Sequence, residues 1–289
     1  MKQILTAITI LIMGTQLVFA SKLNSNIVKI DGNYIHYYYQ NNNKPKNLVL
    51  LTGSGTTTNF WPKDFIQKLS KNYNIYLLDY RCFNTGKSCD NVEYSINSMA
   101  NDTNAFVKKY IPKNIYLLGW SLGGGVALQA VFNDPTAYQH LFLLAPVIPF
   151  DTQLPRPDPS KVKTSNAIYN MIFNQILYNY SSKDLGKEKS RFINPKISKL
   201  LLSKNQAKNE QEAVLLWFKS TKAKNSFSNI KMSTTVFIPD HDKMLDETKA
   251  NEIFINTHNK NYNLKHMKKS GHAVAWDKTS SVAKTINAI

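Results

Sequence analysis

Gly119-Trp120-Ser121-Leu122-Gly123-Gly124 constrains this chain more than any other stretch. An apolar run, Ile115-Tyr116-Leu117-Leu118, leads into it, and a helix-compatible run, Val126 to Val131, follows closely. A strand, then G-x-S-x-G, then a helix forces a tight turn that holds its serine in a strained backbone region. Neighbours without a Cβ are needed where backbone segments come that close. The new helix also aims free N–H groups at the serine, the place where an oxyanion would form.

The rest of the chain alternates in a way that can house such a turn. Ile27–Ile30, Asp31-Gly32-Asn33 and Tyr34–Tyr39 predict a β-hairpin. Leu48-Val49-Leu50-Leu51, Ile75-Tyr76-Leu77-Leu78 and Leu141-Phe142-Leu143-Leu144 are fully apolar, as strands buried on both faces are. Helices are expected over Phe60–Leu69 and Ile96–Tyr110. Strands alternating with helices imply an α/β fold with a mostly parallel sheet covered on both faces. From Pro149 to about Ser228 the rhythm breaks into prolines followed by helical segments at Ile168–Tyr180, Pro195–Ser203 and Gln206–Ser220. That stretch reads as a helical insertion. The sheet resumes at Thr235–Ile238, followed by a helix over Glu247–Asn256, a strand over Tyr262–His266 and a closing helix over Val274–Ile289.

The chain begins Met1-Lys2-Gln3 and then runs apolar from Ile4 to Ala20, the layout of a secretory signal peptide cleaved after Ala20. The expected organisation is therefore a signal peptide over 1–20, a core over 21–148, a cap over 149–228 and the remaining core over 229–289. Export would place the protein in the periplasm or outside the cell, and an uncleaved N-terminal membrane anchor is the less favoured alternative, since the segment is slightly short for a span. The net charge of +17 comes mostly from scattered lysines. Scattered lysine makes a solvated surface with a weak general attraction for anionic membrane surfaces or acidic substrates. No nucleic-acid-reading motif accompanies it, so nucleic acid is not an expected partner. Cys82 and Cys89 are the two cysteines. In an exported chain they are compatible with one disulfide, which closes a short loop and contributes about 2 kcal/mol. No further Cys or His has ligand spacing nearby, so neither a metal nor a cofactor is expected.

A serine hydroxyl becomes a nucleophile when a positioned base takes its proton. Of six histidines, only His272, in Gly271-His272-Ala273, falls in a loop between the last strand and the last helix. That placement makes it the candidate base. The base needs a carboxylate to fix its tautomer. Pro239-Asp240-His241-Asp242 follows a strand and supplies Asp242 as first choice and Asp240 as second. The oxyanion needs two backbone donors. The Leu122 N–H is one, and Thr52-Gly53-Ser54-Gly55-Thr56 supplies the other. Ser54 is preferred there over Gly53 and Gly55.

With these residues in order, the chain resembles the α/β-hydrolase superfamily, in its branch of serine esterases and lipases, from about Asn33 to the C-terminus. Leu50–Gly55 with Phe60-Trp61 is similar to the family's oxyanion loop. Asp79-Tyr80-Arg81 with Gly86-Lys87-Ser88, and Tyr94-Ser95-Ile96 with Asp102, are similar to its segments before the elbow. Thr52 stands where the family usually keeps a histidine. The Arg81–Gly86 stretch is longer than usual and lacks a family glycine, a loop that a Cys82–Cys89 disulfide would brace. The resemblance implies an acyl-enzyme on Ser121 and hydrolysis of a small ester, thioester or other acyl substrate, under a cap rich in apolar side chains. Aspartate-nucleophile relatives such as epoxide hydrolases are disfavoured by the serine. Proline-iminopeptidase-like amide cleavage is the alternative within the fold. A non-catalytic protein docking on an anionic envelope is the alternative outside it.

Overall fold

The computed structural model describes residues 22–87, 92–149 and 164–289. The expected signal peptide, Cys89 and the proline-rich entry to the insertion lie outside these residues. Eight strands form one sheet: β1 (Asn24–Ile30), β2 (Asn33–Gln40), β3 (Lys46–Leu51), β4 (Tyr73–Leu78), β5 (Ile115–Trp120), β6 (His140–Leu144), β7 (Thr234–Pro239) and β8 (Tyr262–Met267). Their order is β1-β2-β4-β3-β5-β6-β7-β8. β1 and β2 form the antiparallel hairpin, and β2 pairs antiparallel with β4. The pairings from β4 onward are parallel. This is the mostly parallel α/β sheet that the sequence predicts.

The continuous apolar runs have a simple origin. Successive side chains of a strand point to opposite faces, and here each face carries its own core. Val49 and Leu51 of β3 join Leu117 of β5 and Leu141 and Leu143 of β6 on one side. Leu48 and Leu50 join Leu118, Phe142 and Leu144 on the other. The first side is covered by α2 (Ile96–Tyr110), α3 (Leu122–Asn133) and α9 (Glu247–Asn256). The second is covered by α1 (Lys63–Leu69), α10 (Val274–Asp277) and α11 (Thr279–Asn287).

Between β6 and β7 lie α4 (Ser165–Ile176), α5 (Leu185–Arg191), α6 (Ile197–Leu200), α7 (Lys204–Phe218) and α8 (Thr221–Ser228). This region is more finely divided than the sequence suggests, with α5 and α8 unforeseen and α6 reduced to a single turn. Many of its apolar side chains pack down. Tyr169, Phe173, Ile176, Leu200, Val214 and Trp217 are buried, whereas Leu215 and Leu216 are 45% and 68% exposed. Two other helices differ from expectation. The Phe60–Leu69 helix is replaced by a 3-10 turn at Thr58–Phe60 and α1 from Lys63. Pro62 causes this, because the residue before a proline is driven out of the helical region, and Trp61 is extended with ψ 137°. The closing helix breaks at Lys278. There the Arg191 guanidinium donates to the Trp276 carbonyl and the Thr279 hydroxyl.

The turn after β5 is the tightest point of the fold. Ser121 has φ 55° and ψ −119°, between the last strand residue and the first residue of α3. A Cβ on Gly119 would lie 2.1 Å from the Gly123 carbonyl oxygen. One on Gly123 would lie 2.3 Å from the Leu51 carbonyl oxygen. Both neighbours are backbone atoms, so neither contact can be relieved by a rotamer change. The Ser121 carbonyl accepts from the Gly124 and Val147 N–H groups at 2.9 Å, and its N–H donates to Leu144 O at 3.0 Å. These bonds hold the strained residue from both sides.

Two outcomes are expected. Gly123→Ala costs about 3 kcal/mol or more, a fall in melting temperature of roughly 6–12 °C for a chain of this size; a calorimetric scan checks it. The second concerns His140 on β6, whose ring is buried against Phe142 and lies 3.0 Å from the Thr235 hydroxyl. Burial lowers its pKa to about 4. The unfolded chain takes up this proton near pH 6.5, while the folded one does not. Stability is therefore complete above that pH and falls as pH drops from about 6.5 toward 4. Denaturant midpoints measured across this range should slope less for His140→Gln than for the native chain.

Candidate active site

The four segments at the elbow's end of the sheet converge. β3 ends in the loop carrying Ser54, β5 in Ser121, β7 in the loop carrying Asp242, and β8 in the loop carrying His272. Ligands of open parallel sheets gather outside the strands' carboxyl ends, because loops of several strands meet there.

Asp242 and His272 come together. His272 Nδ1 lies 2.7 Å from Asp242 Oδ2, and both side chains are buried. The other oxygen of the carboxylate accepts from the N–H groups of Met244 at 2.7 Å and Leu245 at 3.1 Å. Those bonds fix the carboxylate's orientation. Asp240, the second choice, is exposed and bonds His241 Nδ1 and the Ser270 N–H instead. Asp246 caps α9 by accepting from the Lys249 N–H.

The His272 loop is locked by the helical segment between β6 and β7. A Cβ on Gly271 would meet the Ile176 carbonyl oxygen at 2.7 Å and the backbone of Leu177 and Tyr178 at 2.9 Å. The Ala273 N–H donates to Ile176 O. One oxygen of Asp277 accepts from both the Gly271 and Tyr178 N–H groups, at 2.7 and 2.9 Å. A second tie runs to β5, where the Trp120 indole N–H donates to His272 O at 2.9 Å.

Ser121 is buried beside the Ser54 loop. A Cβ on Gly53 would lie 3.3 Å from Ser121 Cβ and 3.1 Å from the Trp120 ring. Among the described residues the Ser121 hydroxyl makes no hydrogen bond to His272. Such bonds often tighten only around substrate. Leu122 opens α3, so its N–H has no acceptor within the helix. A polar cavity of about 220 Å³, lined by Asp184, Glu188, Arg191 and Trp276 among others, includes neither Ser121 nor His272 and is separate from this site.

Asp79, at the end of β4, stabilises the site's flank. It accepts from the Thr58 N–H at 2.7 Å and from Asn84 Nδ2 at 2.9 Å, and lies 2.7 Å from His36 Nδ1. Arg81 grips Asp102 through two bonds of 2.7 and 2.8 Å, tying the exit of β4 to α2. Cys82 in this loop is disulfide-bonded. Sequence reasoning missed Glu210 of α7. Its carboxylate is fully buried and accepts from the Gly55 N–H at 2.6 Å. The signal was present: Glu210, Ala213, Val214 and Trp217 fall at the spacing of one helix face, and all four are buried.

Residues 46–279 match a family model described as the alpha/beta hydrolase fold. Among curated proteins, the pimeloyl acyl-carrier-protein methyl ester esterase of Aeromonas hydrophila is 34% identical over 98 residues. The match spans 34% of this chain and 37% of that protein's length. Among solved structures, an alpha/beta hydrolase fold protein from Chitinophaga pinensis superposes with a TM-score of 0.72 at 14% identity, covering 93% of this chain and 97% of that one. Carboxylesterase CesB from Bacillus subtilis gives a TM-score of 0.69 at 14% identity, covering 92% and 90%. With the family model matched across most of its length, this chain belongs to the alpha/beta hydrolase family.

Proposed function

We propose that the protein is an exported serine hydrolase that cleaves carboxylic esters or thioesters through an acyl-enzyme on Ser121. The observation that carries the reading is the buried 2.7 Å pair of His272 and Asp242, with the His272 carbonyl bonded by Trp120, the residue before a serine held at φ 55°. A buried carboxylate on Nδ1 leaves Nε2 as the free, basic nitrogen. The esterase relatives support ester chemistry, and the apolar segment up to Ala20 supports export.

His272 Nε2 takes the hydroxyl proton as Ser121 Oγ attacks the substrate carbonyl carbon. The negative charge then rests on the carbonyl oxygen, which the N–H groups of Leu122 and Ser54 receive. Collapse breaks the bond to the leaving alkoxide or thiolate, and His272 returns the proton to it. Water repeats the sequence: His272 takes its proton, the acid departs, and Ser121 recovers its own. Asp242 holds the His272 tautomer and stabilises the imidazolium. The helices between β6 and β7 supply the cap over the acyl group, and the lysine-rich surface favours loose attachment to anionic membrane.

Turnover of short and medium p-nitrophenyl esters, with Ser121 labelled by a fluorophosphonate probe, is the expected result. Ser121→Ala should lower kcat by at least about 10⁴-fold with folding unchanged. Asp242→Asn should lower it by about 10³–10⁴-fold, because the base loses its tautomer. Cleavage of proline arylamides in place of esters would move the reading to an amidase. No turnover of either, and no labelling, would leave a binding protein.

A further inference from the structure

Glu210 is an expensive residue in its position. A carboxyl group on a helix face that packs on the core is destabilising relative to an apolar side chain, and Ala213, Val214 and Trp217 already supply that packing. Its Oε2 accepts from the Gly55 N–H at 2.6 Å. Oε1 is buried with no hydrogen-bond partner among the described residues. Burial pushes the carboxyl up to about 8, against the Gly55 N–H and the Ser54 hydroxyl, which favour the charged form, and the nearby Asp79 charge pushes it the same way as burial. Near neutral pH the group therefore holds a proton, which Oε1 can carry while Oε2 still accepts from Gly55.

The geometry of the loop explains what that contact does. The Ser54 N–H and the Gly53 C=O belong to one peptide plane. Gly53 O accepts from the Thr56 hydroxyl at 2.7 Å and the Thr56 N–H at 3.3 Å, which fixes this plane. The next plane contains the Gly55 N–H, and Glu210 holds it. With both planes held, φ and ψ of Ser54 are set, and so is the direction of its N–H. Downstream, the loop is laid against the stretch that precedes α7. Leu202 N donates to Gly55 O, Thr57 N donates to Leu200 O, and Thr56 bridges to Leu201. Among the ties from the helical segment, Glu210 reaches the Gly55 N–H, in the peptide next to Ser54, through a side chain.

We propose that Glu210 is a positioning residue of the oxyanion hole: by accepting the Gly55 N–H, it orients the Ser54 peptide toward the oxygen of the reacting carbonyl. This role rests on the proposed esterase activity and assigns the helical segment a part in rate as well as in substrate binding.

The test compares Glu210→Leu, which removes the acceptor, with Glu210→Gln, which keeps it, using p-nitrophenyl butyrate and thermal melting. The Leu variant should lose kcat tenfold or more, approaching the roughly 10²–10³-fold effect of removing an oxyanion donor. Its KM should stay within about threefold, and the Gln variant should keep kcat within about threefold of the native chain. A folded Leu variant with kcat within twofold overturns the proposal, as does a loss carried by KM alone or a Gln variant as impaired as Leu. Should Leu not fold, Glu210→Asp applies the same criterion, since its shorter arm withdraws from Gly55. If neither variant folds, the residue is structural and the proposal falls. A native protein that turns over no ester defeats the esterase reading itself; native turnover with an indifferent Leu variant defeats only the positioning role.

Discussion

The fold depends on the contact between the first turn of α3 and the ends of β3 and β5. There is no space for a side-chain carbon at Gly119 or Gly123. That closeness lets β5 reverse directly into α3, and the reversal puts Ser121 into a backbone region that non-glycine residues rarely occupy. The strain is tolerated because the surroundings over-determine it. Leu144, Gly124 and Val147 bond the Ser121 backbone, and α3 is buried along most of its length. The sheet's two cores can be regarded as the support that keeps this one residue in place.

The support extends to the partners. Asp242 is oriented by two backbone N–H groups, and His272 by Asp242 together with the backbone around it. None of these bonds requires substrate. Electrostatic preorganisation of this kind is effective because the groups need not reorganise when charge develops. The Ser54 loop is built differently, since it is held largely by residues 199–210, which come from outside the sheet.

How much of this was legible in the sequence varied with the physical cause. Strands such as Leu48–Leu51 were readable because both faces are buried and the run has no polar gap. The elbow and the Gly271-His272 pair were readable because they depend on local sterics, which a few residues express. Helices α5 and α8 were not, because each buries little: only Glu188 in α5, and Ala223, Ser226 and Phe227 in α8. The last helix breaks where Arg191, more than eighty residues away, bonds the Trp276 carbonyl and the Thr279 hydroxyl, and no local pattern announces it. Glu210 sits in Lys208-Asn209-Glu210-Gln211-Glu212, which reads as a solvated run. Only the phase of the apolar residues that follow shows it facing inward.

Gly271 packs against the backbone of Ile176, Leu177 and Tyr178, and the same Asp277 oxygen binds N–H groups from both loops. The end of α4 and the His272 loop are thus one interlocked unit assembled from distant parts of the chain. Anyone exchanging this helical region for that of another member of the family, or building mutant libraries across it, inherits that coupling. A graft that ends α4 even one residue differently would shift the register of the backbone against Gly271 and carry His272 with it. Diversity is better placed at outward positions such as Leu215 and Leu216, while the junctions at 176–178 and 199–202 are kept intact.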